Sequence, residues 1–156
     1  MSDIDVKIIT LAPMQVASAL GFGEGPEVLA WEKIFNFLRQ KGLWEDMESL
    51  NYYGFNNPDP TPASPNYGYE QWVVIPEAIS GTEEVEIKQF PGGTYAVALC
   101  EGIPNIFQRW KELFAWREDS PYQAGSHQWL EKWENPTKEG LSEEDMVMAL
   151  YLPIQK

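Results

Sequence analysis

In 156 residues the sequence has one cysteine and one histidine, and only 11 Lys and Arg against 24 Asp and Glu. A lone cysteine, Cys100, excludes an internal disulfide and a cysteine metal cluster. The lone histidine, His127, has no partner at a spacing that would announce a nucleophilic triad. Neither a metal nor a cofactor is therefore expected. The formal net charge of −13 repels nucleic-acid phosphates and anionic lipid, so direct nucleic-acid binding and membrane association are not expected. No apolar run approaches the ~20 residues that span a bilayer. The start, MSDIDVK, lacks the basic and apolar regions of a signal peptide. The cytoplasm is the simplest compartment.

What the chain does have is an apolar fraction of 44%, with seven tryptophans and seven tyrosines. This is the composition of one globular domain long enough to bury a core. The acidic excess has two readings: it favours approach by cations, or it only keeps the protein soluble.

Alternation of apolar and polar residues predicts strands at Ile4–Leu11 and Val16–Leu20, broken at Pro13. Glycines 21, 23 and 25 form a turn. A helix should follow over Pro26–Gln40, with Val28, Trp31, Phe35 and Leu38 as its apolar stripe and Gly42 ending it. Four prolines make 56–68 a loop, and Tyr69–Pro76 reads as a strand. The same order then begins again. Strands are expected at Val85–Phe90 and Thr94–Cys100, and a helix over Pro104–Arg117 with Phe107, Trp110 and Phe114 in its stripe and Ile106 and Leu113 beside it. An acidic, amide-rich segment, QWLEKWENP, precedes a closing strand over Met146–Ile154, whose edge could pair with a second copy to form a homodimer.

The repetition holds at one offset. Val6 and Val85, Leu11 and Phe90, Ala17 and Ala96, Trp31 and Trp110, and Phe35 and Phe114 are each 79 residues apart. The fold class expected is α+β: a duplicated strand–strand–helix–strand unit, with halves at about 4–78 and 83–156. The duplicated units make an antiparallel sheet with two main helices on one face and a central ligand cleft.

Five segments carry a family resemblance. They are YGFNNPDPTPASPNYGYEQWVVIPE (53–77), GGTYAVALCEG (92–102), IFQRWKELFAW (106–116), HQWLEKWENP (127–136) and LYLPI (150–154). Together they resemble the GyrI-like effector-binding domain, the ligand-binding module of AraC-type and MerR-type transcription activators and of multidrug sensors, in a stand-alone form. The resemblance implies a duplicated fold and a central aromatic pocket for lipophilic, often cationic or aromatic, small molecules. It also implies a buried glutamate facing the cation, which maps to Glu131. The effector-like sequence starts at about residue 4, so no helix-turn-helix domain is expected with it. Some stand-alone members are similar to hydrolases of reactive cyclopropane-containing compounds. In that alternative Glu131 and a tyrosine, Tyr95, carry the chemistry. A third alternative is a protein-sequestering interaction module.

The candidate ligand-binding set is therefore Glu131, Trp110, Trp72, Trp129, Trp133, Tyr53, Tyr69, Tyr95, Tyr151 and Glu101. Indole faces can hold a cation at roughly 0.5–2 kcal/mol per contact. A carboxylate among aromatics is costly to bury unless a cation pairs with it. The alternative for each aromatic is ordinary packing, and for Glu131 a solvent-facing position.

Overall fold

The computed structural model describes residues 4–23, 25–57, 66–134 and 142–155. Among them are nine strands and two long helices, an α+β fold whose strands pair antiparallel within each of two units. The chain divides into two compact units. One is contiguous, Met14–Phe90. The other is split, formed by the residues up to Pro13 and those from Pro91 onward.

The contiguous unit contains β2 (Met14–Gly23), α1 (Pro26–Gln40), β3 (Tyr52–Asn56), β4 (Tyr67–Val74) and β5 (Glu86–Phe90). The strand order is β3-β4-β2-β5. Register sets the faces. Ala17 lies opposite Val73 and Ala19 opposite Gln71, on one side. Ser18 lies opposite Trp72 and Leu20 opposite Glu70, on the other. Helix α1 covers the Ala17 side. At Gly21 an added Cβ would meet the Pro26 carbonyl and the Ala30 nitrogen, and the Trp31 ring lies 5.3 Å from that of Tyr52. Alanines at 17, 19 and 30, all fully buried, allow this close approach.

The split unit repeats the pattern with β1 (Lys7–Leu11), β6 (Gly93–Glu101), α2 (Ile106–Asp119), β8 (Leu130–Trp133) and β9 (Val147–Gln155), in the order β1-β6-β9-β8. A short β7 (Gln123–Ala124) also pairs with β9. Its core gathers Ile4, Ala96, Ala98, Cys100, Leu113, Leu150, Leu152 and Ile154, with Ile106, Trp110 and Trp116 of the helix packed against it. Among the described residues no helix is long and apolar enough to cross a membrane.

Three expectations need correction. The α1 stripe is rotated: Pro26, Ala30, Ile34, Phe37 and Leu38 are buried, while Val28 is 64% exposed. In α2, Leu113 and Arg117 face inward, whereas Phe107 is 70% exposed and Phe114 42%. Residues at steps of three and four fill two adjacent rows of one helix, and the small Ala30 decides which row approaches the sheet. The exposed rings are covered by cations instead, Lys111 over Phe107 at 4.5 Å and Arg117 over Phe114 at 4.7 Å. Finally, β9 is not an edge. It pairs with β6 on one side and with β8 and β7 on the other, so the Met146–Ile154 segment has no free edge for a second copy.

Candidate functional site

Strand β8 buries Leu130 and Trp133 at its ends, with Glu131 and Lys132 between them half-buried. Its register with β9 sets Glu131 opposite Leu150 and Leu130 opposite Tyr151. Leu150 belongs to the core under α2, so Glu131 emerges on the helix side. There the Trp110 indole Nε1 donates to Glu131 Oε2 at 3.3 Å. The Trp129 ring tilts against Trp110, centroids 5.3 Å apart at 41°. Trp129 is 41% exposed, and the Arg117 guanidinium stands 5.9 Å from its ring. A carboxylate half-buried beside two indoles is a place where a cation gains both charge pairing and a π-face.

The neighbouring thiol senses this charge. Burial pushes Cys100 up, Glu131 adds to the rise, and Arg109 opposes it. Cys100 donates to the Gly102 carbonyl at 3.4 Å and fills core space.

The other expected residues of the split unit lie apart from this cluster. Tyr95 and Tyr151 meet edge-on, ring centroids 5.3 Å apart at 69°. Tyr151 pairs in register with Val97 and with Leu130, so both phenols are on the face opposite Glu131. The Tyr95 hydroxyl donates to the Gln128 carbonyl at 2.6 Å, and the His127 ring stands edge-on to Tyr95 while its Nε2 meets the Thr94 carbonyl at 2.7 Å. Trp133 is buried farther along β8. Glu101 closes β6 and lines a depression of about 380 Å³ with Leu99, Asn105, Gln108, Arg109 and Glu112.

Trp72, Tyr53 and Tyr69 belong to the contiguous unit. Tyr53 and Trp72 are register partners. Tyr69 lies on the α1 side, its ring filling the space above Gly54. A dense polar group, centred on Glu70 two residues before Trp72, also sits here. Glu70 accepts from Ser18 Oγ at 2.8 Å, Trp72 Nε1 at 2.6 Å, Lys88 Nζ at 2.9 Å and Asn57 Nδ2 at 3.1 Å. Burial pushes its pKa up, but the hydrogen bonds from Lys88, Trp72, Ser18 and Asn57 outweigh that and hold it below the ordinary value. The signal available in the sequence was the two-residue spacing of Glu70 and Trp72, which puts both on one face of a strand.

Among the described residues no group of three His, Cys, Asp or Glu side chains could hold a metal ion.

With this geometry established, comparison with known proteins places the chain. The family model described as Cass2, integron-associated effector binding protein, matches residues 7–154. The chain belongs to the Cass2 family. A comparison with curated proteins gives no match. Among solved structures it is similar to the C-terminal domain of EcmrR, at a TM-score of 0.73 and 12% identity, covering 99% of each chain. A hydrolase from Listeria innocua superimposes at a TM-score of 0.73 and 12% identity, covering 99% of this chain and 94% of that one. SAV2435 bound to tetraphenylphosphonium superimposes at 0.55 and 13% identity, covering 97% and 94%. These likenesses establish the fold shared by members and neighbours of the Cass2 family. Membership makes the chain an effector-binding domain, and it agrees with the GyrI-like resemblance.

Proposed function

We propose that this Cass2-family protein binds a lipophilic organic cation through the Glu131 carboxylate, with Trp110 and Trp129 supplying the aromatic face. The observation that carries this reading is the Trp110–Glu131 hydrogen bond beside a partly exposed Trp129. The indole N–H orients the carboxylate, and the exposed ring leaves a face for a ligand. The net charge of −13 draws cations toward the surface. The fold neighbour SAV2435 is bound to such a cation, tetraphenylphosphonium.

Titration of the tryptophan fluorescence with tetraphenylphosphonium tests the reading. Saturable quenching is expected, weakened about 10-fold in Glu131→Gln, since a partly screened charge pair contributes about 1–2 kcal/mol. Unchanged affinity in that variant, or no saturable binding by the wild-type protein, would overturn it.

Nothing in the site favours a hydrolase. Tyr95 and Glu131 emerge on opposite faces of the same sheet, so they do not form an acid–base pair across one substrate.

A further inference from the structure

The face of the contiguous unit turned away from α1 holds a second arrangement of acid and aromatics. Register puts Ser18 opposite Trp72, Phe55 opposite Glu70 and Lys88 opposite Val16, all on that face. The Phe55 ring stands edge-on to Trp72 at 5.1 Å, and the Phe90 ring lies 5.3 Å from Trp72 on β5. Glu70 thus has the makings of an aromatic carboxylate site, except that its cation is already supplied by the chain.

We propose that Glu70 is the floor of a second cation site which Lys88 holds closed as a tethered ammonium, and that a primary ammonium carried on a flat aryl group takes the place of Lys88. The four donors on Glu70 are not equivalent. Trp72 and Ser18 are buried, and their strands hold them in place. Asn57 reaches the other oxygen, Oε1. Lys88 alone among them carries charge, and it approaches from the solvent side: its side chain is 38% exposed against 5% for Glu70. It can swing into water without disturbing a strand. A second acceptor waits for it, since Glu86 Oε2 already lies 3.7 Å from the ammonium and is exposed. An empty Glu70 would be costly, because a buried carboxylate needs a paired charge. An incoming ammonium keeps that pairing and the third hydrogen bond on Oε2, while its aryl group takes up the space left by the lysine chain. The ligand competes only with the effective concentration of a tethered lysine, which is on the order of millimolar for short tethers. The inference stands independently of the Glu131 site.

Calorimetric titration with benzylammonium tests it. Weak binding is expected for the wild-type protein, and at least 10-fold tighter binding for Lys88→Met. The gain should disappear in the Lys88→Met, Glu70→Gln double variant and persist in Lys88→Met, Glu131→Gln, which separates this site from the other. No tightening in Lys88→Met, or a gain that survives Glu70→Gln, would overturn the proposal. If Lys88→Met does not fold, side-chain nitrogen NMR of the wild-type lysines decides: benzylammonium should move the Lys88 ammonium signal toward its solvent-exposed position. An unmoved signal at saturating ligand would count equally against the site.

Discussion

Gly54 offers the sharpest test of how the contiguous unit closes the position at which the split unit displays Glu131. In register, Gly54 lies opposite Gln71 on β4, as Glu131 lies opposite Leu150 on β9. Gln71 and Leu150 are 79 residues apart, the offset of the repeat. Above Gly54 lies the Tyr69 phenol. A Cβ at residue 54 would come within 2.6 Å of two ring carbons of Tyr69, well inside van der Waals contact. The ring is 2% exposed, so it has no open space to enter. Overpacking of this kind costs about 1–3 kcal/mol, and the absence of a free direction places Gly54→Ala at about 2–3 kcal/mol. In a chain of this length that corresponds to a fall of roughly 5–10 °C in Tm. Urea denaturation of four proteins measures it: wild type, Gly54→Ala, Tyr69→Leu and the double variant. Tyr69→Leu is itself destabilising, through the cavity it leaves. In that background the alanine should cost less than about 0.5 kcal/mol, a coupling on the order of 2 kcal/mol. Equal costs of Gly54→Ala with and without the Tyr69 ring would refute the argument.

Two further outcomes concern pH. Burial pushes the Tyr52 phenol up to about 12 from an ordinary 10, while its hydroxyl donates to the Met47 carbonyl at 2.6 Å. The unfolded chain therefore ionises first, and stability holds below pH 10 and declines between 10 and 12 at about 1.4 kcal/mol per pH unit. Urea midpoints against pH should show a shallower alkaline decline in Tyr52→Phe, and parallel curves would contradict it. Glu70 runs the other way. Its folded pKa is lowered, so its contribution is complete above the ordinary value of 4.5 and is lost as pH falls through the lowered one. The acid limb of the stability curve should be flatter in Glu70→Gln than in the wild-type protein.

Local features were legible wherever one signal dominated. Helix α1 begins and ends as the Pro26 start and the Gly42 stop require. Strands β2, β4, β5, β6 and β9 fall within two or three residues of the alternating runs, except that β2 extends through the glycine turn to Gly23. Strands β3 and β8 were harder to see. Gly54 interrupts one and the adjacent charges of Glu131 and Lys132 interrupt the other, so neither shows alternation. The rotated helix stripes reflect a limit of periodicity, which fixes the spacing of a row but not which of two adjacent rows meets the sheet. At the site, Trp129 and Glu131 were close in the chain, but their meeting with Trp110 depends on how α2 packs over β6 and β9. The resemblance to effector-binding domains supplied Glu131 itself. The Glu70 group escaped because its donors come from four separate segments, and Lys88 and Ser18 carry no mark of it in their own surroundings.

The exchange of first strands alters what one copy of the repeat means. Strand β1 precedes the first copy's hairpin partner in sequence, yet it pairs with β6, and β5 returns the exchange by pairing with β2. Leu11 faces Gly93 and Met14 faces Phe90 at the points where the chain passes from one unit to the other. A polypeptide holding a single copy would keep a first strand of its own, but to place it as it is placed here it would have to lend it to a second molecule and receive that molecule's in return. Two half-length chains arranged in this way would form an intertwined homodimer, and fusing them end to end yields the present connectivity without breaking a strand pair.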